Sequence, residues 1–143
     1  MLTQEARPRL FREVAGQRLS KKLLKSIIKN KDSAPHSIIL YGPFGTGKTS
    51  MSRIFAKAIN CPNSINEEPC LKDSCPICSQ DLDNSSFYVE YDSSIVGNVS
   101  KIRELRDTFY YTTQNTYKVI VLDEIQLASS ASQSALLKTI EEA

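Results

Sequence analysis

The sequence predicts an α/β fold, a mostly parallel sheet layered between helices on both faces. Three observations lead there. Short apolar runs at residues 37–41, 87–92 and Val119–Leu122 read as strands, and the last is apolar at every position, as a strand covered on both faces requires. Segments with apolar residues at helical spacing separate these runs. Strand and helix therefore alternate along the chain, the order that parallel strands joined by right-handed crossovers produce.

Taken in turn, Leu19, Leu23, Leu24, Ile27 and Ile28 recur at helical spacing and predict an amphipathic helix over residues 19–29, ended by the polar stretch 30–35. Residues 37–41 read as a buried strand running into a glycine-rich turn. A second helix is expected over Lys48–Asn60, burying Met51, Phe55, Ala58 and Ile59. Residues 61–80 are rich in Pro, Asn, Glu and Ser and show no apolar period, so they read as a loop-like insertion ordered by something other than a core. Beyond strand 87–92, Ile102, Leu105 and Phe109 mark one face of a helix that carries Lys101, Arg103 and Arg106 elsewhere. After Val119–Leu122, Ser130 and Gln133 stand at capping-box spacing before a last helix with Leu136, Leu137 and Ile140.

At 143 residues, 41% apolar and 24% charged, the chain has the composition of a soluble domain with a sizeable core. No stretch of about 18 apolar residues exists to span a bilayer. The first residues mix Glu5 with Arg7, Arg9 and Arg12, which argues against a secretory leader and makes the cytoplasm the expected compartment. A net charge of +2 is too small to imply nucleic acid by itself.

Gly42-Pro43-Phe44-Gly45-Thr46-Gly47-Lys48-Thr49 fits the Walker A pattern, Gly-x-x-x-x-Gly-Lys-Thr. Glycines let backbone N–H groups approach phosphate oxygens, and the helix that follows points its positive end at the same anion. Lys48 is placed to contact the β- and γ-phosphates of a nucleotide and Thr49 to ligate Mg²⁺. The alternative is a plain glycine-rich connection, but the motif sits between a strand and a helix, the context it needs.

Asp123 and Glu124 directly follow the apolar strand Val119–Leu122. Carboxylates at the carboxyl end of a buried parallel strand face the crevice where ligands bind. Asp123 would hold the Mg²⁺ shell and Glu124 would polarise the attacking water, so the pair points to hydrolysis rather than binding alone. Without the glycine motif, a solvated acidic pair at a strand end would be the better reading.

All four cysteines fall in one segment, as Cys61-x8-Cys70-x4-Cys75-x2-Cys78. In a cytosolic chain this clustering favours a metal over two disulfides. Four thiolates favour a structural Zn²⁺. A redox pair at Cys75 and Cys78 is the alternative, although such motifs sit at strand-to-helix junctions rather than in polar insertions.

These motifs resemble the gamma/tau family of bacterial DNA polymerase III clamp-loader subunits, which are AAA+ ATPases. Arg7-Pro8, Phe11 and Val14-Ala15-Gly16-Gln17 match the family's opening motif, which lies against the adenine base. Gly47-Lys48-Thr49-Ser50 and the residues from Arg53 to Cys61 are similar to its Walker A helix running into its zinc module. Val89-Glu90-Tyr91-Asp92, Ile102-Arg103-Glu104-Leu105-Arg106 and the run from Leu136 to Glu142 match later elements.

The resemblance implies an AAA+ three-layer sandwich over residues 1–143, incomplete at the C-terminus, with residues 61–80 as its zinc-binding insertion. It implies nucleotide binding by Val14, Gly42, Pro43, Phe44, Gly45, Thr46, Gly47, Lys48, Thr49 and Ser50. The catalytic residues would be Lys48, Asp123 and Glu124, and the cofactors ATP, Mg²⁺ (Thr49, Asp123) and Zn²⁺ (Cys61, Cys70, Cys75, Cys78). The implied partners are other clamp-loader subunits, a sliding clamp and primer-template DNA, with no membrane.

Departures from the family pattern, including a longer Cys70–Cys75 gap and Ile125-Gln126 after the acidic pair, suggest a divergent or phage-encoded member. The family continues into further strands, a sensor, a Ser-Arg-Cys motif, a lid and a collar, so the chain reads as an N-terminal fragment. Alone, such a fragment is expected to be inactive, because strand 37–41 loses its family neighbours. A non-hydrolysing ATP- and zinc-binding scaffold and another AAA+ DNA-processing motor are the competing functions.

Solvated surface and DNA-phosphate contact fit Lys101, Arg103 and Arg106 about equally. For Tyr110, Tyr111 and Tyr117, packing is favoured over base stacking. His36 reads as a hydrogen-bonded residue at a strand end.

Overall fold

The computed structural model describes residues 7–33, 47–91 and 117–122, and residues 130, 131, 134 and 138. The chain divides into two compact units, Met1–Ser85 and Ser86–Ala143.

Among the described residues, the first unit is built on two helices, α1 (Arg18–Lys29) and α2 (Lys48–Asn60), which pack against each other. Gly16 and Gln17 both take left-handed backbone, at φ 66° and 56°, and turn the chain into α1 without a side-chain cap. Asn30 ends the helix: its N–H reaches the carbonyls of Ser26 and Ile27 at 3.1 and 3.2 Å, and its side-chain amide donates to Ser26 O at 3.0 Å. Leu24, Ile27 and Ile28 are buried.

The five-residue apolar stripe read from the sequence is narrower in the structure, because Leu19 is 82% and Leu23 57% exposed. At 3.6 residues per turn, Leu23 and Leu19 fall about 40° and 80° round the helix from Ile27, away from the buried arc. Spacing alone does not say where along a stripe the core stops.

Helix α2 has the bounds its sequence predicted, and Met51, Phe55, Ala58 and Ile59 are buried as expected, joined by Ile54 and Ala56. A helix apolar on most of its circumference belongs inside a core. Ahead of α1, the 3-10 turn Phe11–Glu13 inserts Phe11 (0% exposed) with Leu10 and Val14 buried beside it. Glu13 caps this turn, its carboxylate accepting from the N–H groups of Arg9 and Leu10, both at 3.0 Å.

In the second unit, β1 (Tyr88–Tyr91) and β2 (Val119–Leu122) pair in parallel, with Tyr88 opposite Val119 and Tyr91 opposite Leu122. Val119 N–H donates to Phe87 O at 2.7 Å, extending the ladder by one bond. The α/β class and the parallel pairing thus agree with the sequence, and among the described residues the sheet has these two strands. Phe87 and Tyr88 are buried, whereas Val119, Ile120 and Val121 are half-buried rather than covered on both faces.

Ser130, Ala131, Ser134 and Lys138 are helical and exposed, one face of the expected last helix. Ser130 is already helical, so it is not the N-cap, whose backbone is non-helical. The strand at 37–41 and the helix around Ile102, Leu105 and Phe109 lie outside the described residues, as do His36, Lys101, Arg103, Arg106, Tyr110 and Tyr111.

Candidate phosphate loop and metal centre

Of the Walker A residues, Gly47, Lys48 and Thr49 are described, together with Ser50. Gly47 is the N-cap of α2 with φ 85° and ψ 14°, in the left-handed region that favours glycine, and as a glycine it offers no side chain to cap the helix start. The first α2 N–H groups therefore point out of the helix end beside Lys48 and Thr49, which are half-buried.

A Cβ placed on Gly47 would lie 3.2 Å from Val14 Cγ1. Close approach to Val14 and a positive φ both select glycine here. Val14 is itself held by Lys21 of α1, whose ammonium donates to the Val14 carbonyl. The structure thus brings Val14 and the end of the glycine motif together, two parts of the sequence-predicted nucleotide site. Gly42, Pro43, Phe44, Gly45, Thr46, Asp123 and Glu124 lie outside the described residues.

The four cysteines converge after α2. All their Sγ atoms lie within 4.8 Å of one another, and Cys61, Cys75 and Cys78 are buried. Cys61 Sγ is 3.9 Å from Cys75 Sγ and 3.6 Å from Cys78 Sγ. A disulfide needs about 2.05 Å, so these are free thiols. Tetrahedral Zn²⁺ with bonds of about 2.3 Å sets its sulfurs about 3.8 Å apart, and the observed separations bracket that value. The donor set therefore fits a tetrahedral thiophilic metal.

The backbone around the sulfurs fits thiolates too. Cys78 N–H points at Cys75 Sγ at 3.4 Å. Burial alone would push the Cys75 thiol up, but N–H groups of Cys78 and Ile77 and the thiols of Cys70 and Cys78 outweigh it and bring Cys75 down to about 7. Burial pushes Cys61 up, and it pushes Cys78 up to about 12 with the neighbouring thiols of Cys61 and Cys70 adding to it. One thiol is thus poised to ionise first, and the cluster as a whole resists holding several negative charges without a cation.

Sequence reasoning missed Glu68. Asn66 and Glu67 both have positive φ, at 55° and 60°, in a tight turn closed by Glu68 N–H to Ile65 O at 3.1 Å. The turn carries the buried Glu68 carboxylate to the N–H groups of Phe11 and Arg12, which donate at 2.6 and 3.1 Å. The cysteine segment is thereby tied to the turn that carries Val14. No sequence motif marks this contact, because its partners are 57 and 56 positions apart and are backbone groups. Lys57 of α2 adds a second tie by donating to Cys78 O at 3.1 Å. Burial lowers the Lys57 ammonium below its ordinary value, with Arg9 and Arg53 acting the same way against Cys78 and Asp81.

The family model described as DNA polymerase III, delta subunit matches residues 16–143. DNA polymerase III subunit tau of Bacillus subtilis (strain 168) is 39% identical over 139 residues, covering 95% of this chain and 24% of that protein. Subunit gamma of Buchnera aphidicola subsp. Schizaphis graminum is 34% identical over 145 residues, 99% of this chain and 39% of its own length. Subunit gamma/tau of Mycobacterium tuberculosis (strain ATCC 25618 / H37Rv) is 36% identical over 143 residues, 99% of this chain and 25% of its own length. The chain thus spans between 24% and 39% of the length of these relatives. With the delta-subunit model matched over residues 16–143 and gamma and tau subunits as relatives over nearly the whole chain, the chain belongs to the gamma/tau family of DNA polymerase III subunits.

Proposed function

We propose that this chain forms the ATP-binding part of a clamp-loader subunit that hydrolyses ATP to help place a sliding clamp on primer-template DNA. The observation that carries the reading is the start of α2: left-handed Gly47 as a helix N-cap without a side chain, Lys48 and Thr49 beside it, and Val14 against the glycine. On this reading residues 42–49, with Ser50, cradle the phosphates, Thr49 and Asp123 serve Mg²⁺, and Glu124 orients the attacking water. Strand β2 ends at Leu122, immediately before that acidic pair, which supports the assignment. The three-layer AAA+ architecture, the other clamp-loader subunits as partners and a cytoplasmic location belong to the same proposal.

Cys61, Cys70, Cys75 and Cys78 would hold a structural Zn²⁺. Ile77 and Leu82 are apolar anchors buried in or just after this segment. Two such side chains contribute roughly 3–6 kcal/mol, whereas structural zinc contributes on the order of 10 kcal/mol. The metal, more than burial, would order the insertion.

The test is ATP titration by calorimetry on the chain and on Lys48→Ala. Loss of the cation at the β/γ-phosphates should weaken binding by about tenfold or more, roughly 1.4 kcal/mol. Unchanged affinity would sink the nucleotide assignment. In the complete subunit assembly, Glu124→Gln should keep ATP binding and abolish turnover. Binding with no turnover in the unsubstituted protein would favour a non-hydrolysing scaffold instead.

A further inference from the structure

A second concentration of positive charge lies away from the phosphate loop. A cavity of about 180 Å³ opens between the N-terminal segment, the C-terminal half of α2 and the end of the cysteine segment. Arg7, Arg9, Arg53 and Lys57 line it, and Asp81 is the acidic residue in its wall. Arg53 and Lys57 stand five and nine residues beyond Lys48 on α2, about 7.5 and 13.5 Å along the axis. The cavity is therefore distinct from the place where a nucleotide's phosphates would sit.

Its charges do not balance. Asp81 is committed to the following 3-10 turn, accepting from Asp83 N–H at 3.1 Å and from the Asn84 amide at 3.4 Å. Asp83 pairs with Arg53 at 3.5 Å. Among the described residues, counting both carboxylates against the four cations leaves an excess of about two positive charges. Arg7 Nη1 is buried with no hydrogen-bond partner. Buried guanidinium donors are costly to leave unmade, and water satisfies a donor without neutralising the cations around it.

We propose that this cavity is a binding site for a phosphate group. A tetrahedral phosphate would offset the excess, by up to two charges as the free ion and by one as a phosphodiester, accept from the orphaned Arg7 donor, and match the forked geometry of Arg7 and Arg53. The size agrees. About 180 Å³ falls below the ~300–1,000 Å³ typical of pockets that enclose drug-sized ligands. A volume of about 180 Å³ accommodates a phosphate group. Free phosphate and a phosphodiester of a nucleic-acid strand are the two sources of that chemistry.

The test follows the arginine side-chain N–H signals by NMR in the chain and in Lys48→Ala, which removes the phosphate-loop cation. Inorganic phosphate is titrated in one arm and a short oligothymidylate in the other, at ionic strength matched with chloride. Arg7 and Arg53 signals should move saturably with at least one ligand, equally in the chain and in Lys48→Ala. Saturation by phosphate alone assigns a free anion; saturation by the oligonucleotide, displaced by phosphate, assigns a strand backbone. Arg53→Gln should weaken the response about tenfold. The exposed Arg9→Gln should weaken it severalfold and serves as the decisive variant if Arg53→Gln disturbs the fold. No saturable shift in either arm, loss of the shift in Lys48→Ala, or an undiminished shift in Arg9→Gln would overturn the proposal.

Discussion

Helix α2 and the cysteine segment that follows it are adjacent in sequence and held in opposite ways. Six of the helix's apolar side chains are buried, and any good packing partner would do for most of them. In the cysteine segment the interactions are few and directional: four sulfurs within 4.8 Å, Glu68 on two backbone amides, and Lys57 on one carbonyl. The first kind of order degrades gradually when one group is trimmed. The second depends on particular atoms, so loss of one donor removes a whole fastening.

The sharpest way to break the comparison is to remove the metal proposed for the four cysteines. Chelation, or Cys75→Ser, should abolish metal content and cost the cysteine segment on the order of 10 kcal/mol of metal-linked stability. Amide exchange should then accelerate across residues 61–85 while the centre of α2 stays protected. Equal loss of protection in both would show that the two regions are one cooperative unit. The pH response should separate metal-free from metal-loaded protein. Cys78 is raised from its ordinary value of 9.0 to about 12, so without metal its contribution is full below about pH 9 and is lost as pH climbs toward 12. With metal bound the sign reverses at low pH, because acid competes for the thiolates. Thermal melts with and without zinc across pH 6 to 11 test this; parallel curves would contradict it.

Met51→Ala should be the largest change on the helical side. Met51 is 2% exposed, and truncating such a side chain costs about 2–5 kcal/mol. Denaturant unfolding should show the loss while zinc analysis shows an unchanged metal content. A fall in both would mean that core packing and the sulfur cluster form together.

Glu68→Ala leaves the Phe11 and Arg12 amides without their buried acceptor, at a cost of roughly 1–3 kcal/mol. The expected signature is faster exchange at those two amides with the metal retained. If Glu68→Ala instead releases the metal, the carboxylate supports the cluster rather than fastening it to the N-terminal turn.

The smallest effect sharpens rather than breaks the contrast. Glu67 holds φ 60°, a conformation glycine adopts without a Cβ penalty, so Glu67→Gly should stabilise by about 0.5–1 kcal/mol. A destabilisation would mean that the Glu67 side chain makes a contact worth more than its backbone strain.

Much of the local structure was legible because it depends on neighbours in sequence. The bounds of α2, the strand at Val119–Leu122 and the shared destination of four cysteines follow from apolar period, β-branched runs and ligand spacing. Such signals act over one turn of helix, one strand or one short loop, so composition and spacing carry them. The reach of the core along α1 was different: Leu19 and Leu23 have the right spacing and are exposed, because burial depends on where the facing element ends. Glu68 likewise gives no sign in sequence of the two amides it serves, and Arg7, Arg9, Arg53 and Lys57 look like scattered surface charge until folding gathers them around one cavity. Those features join residues more than forty positions apart through backbone groups and empty space, neither of which leaves a residue-type pattern, so only the tertiary structure could decide them.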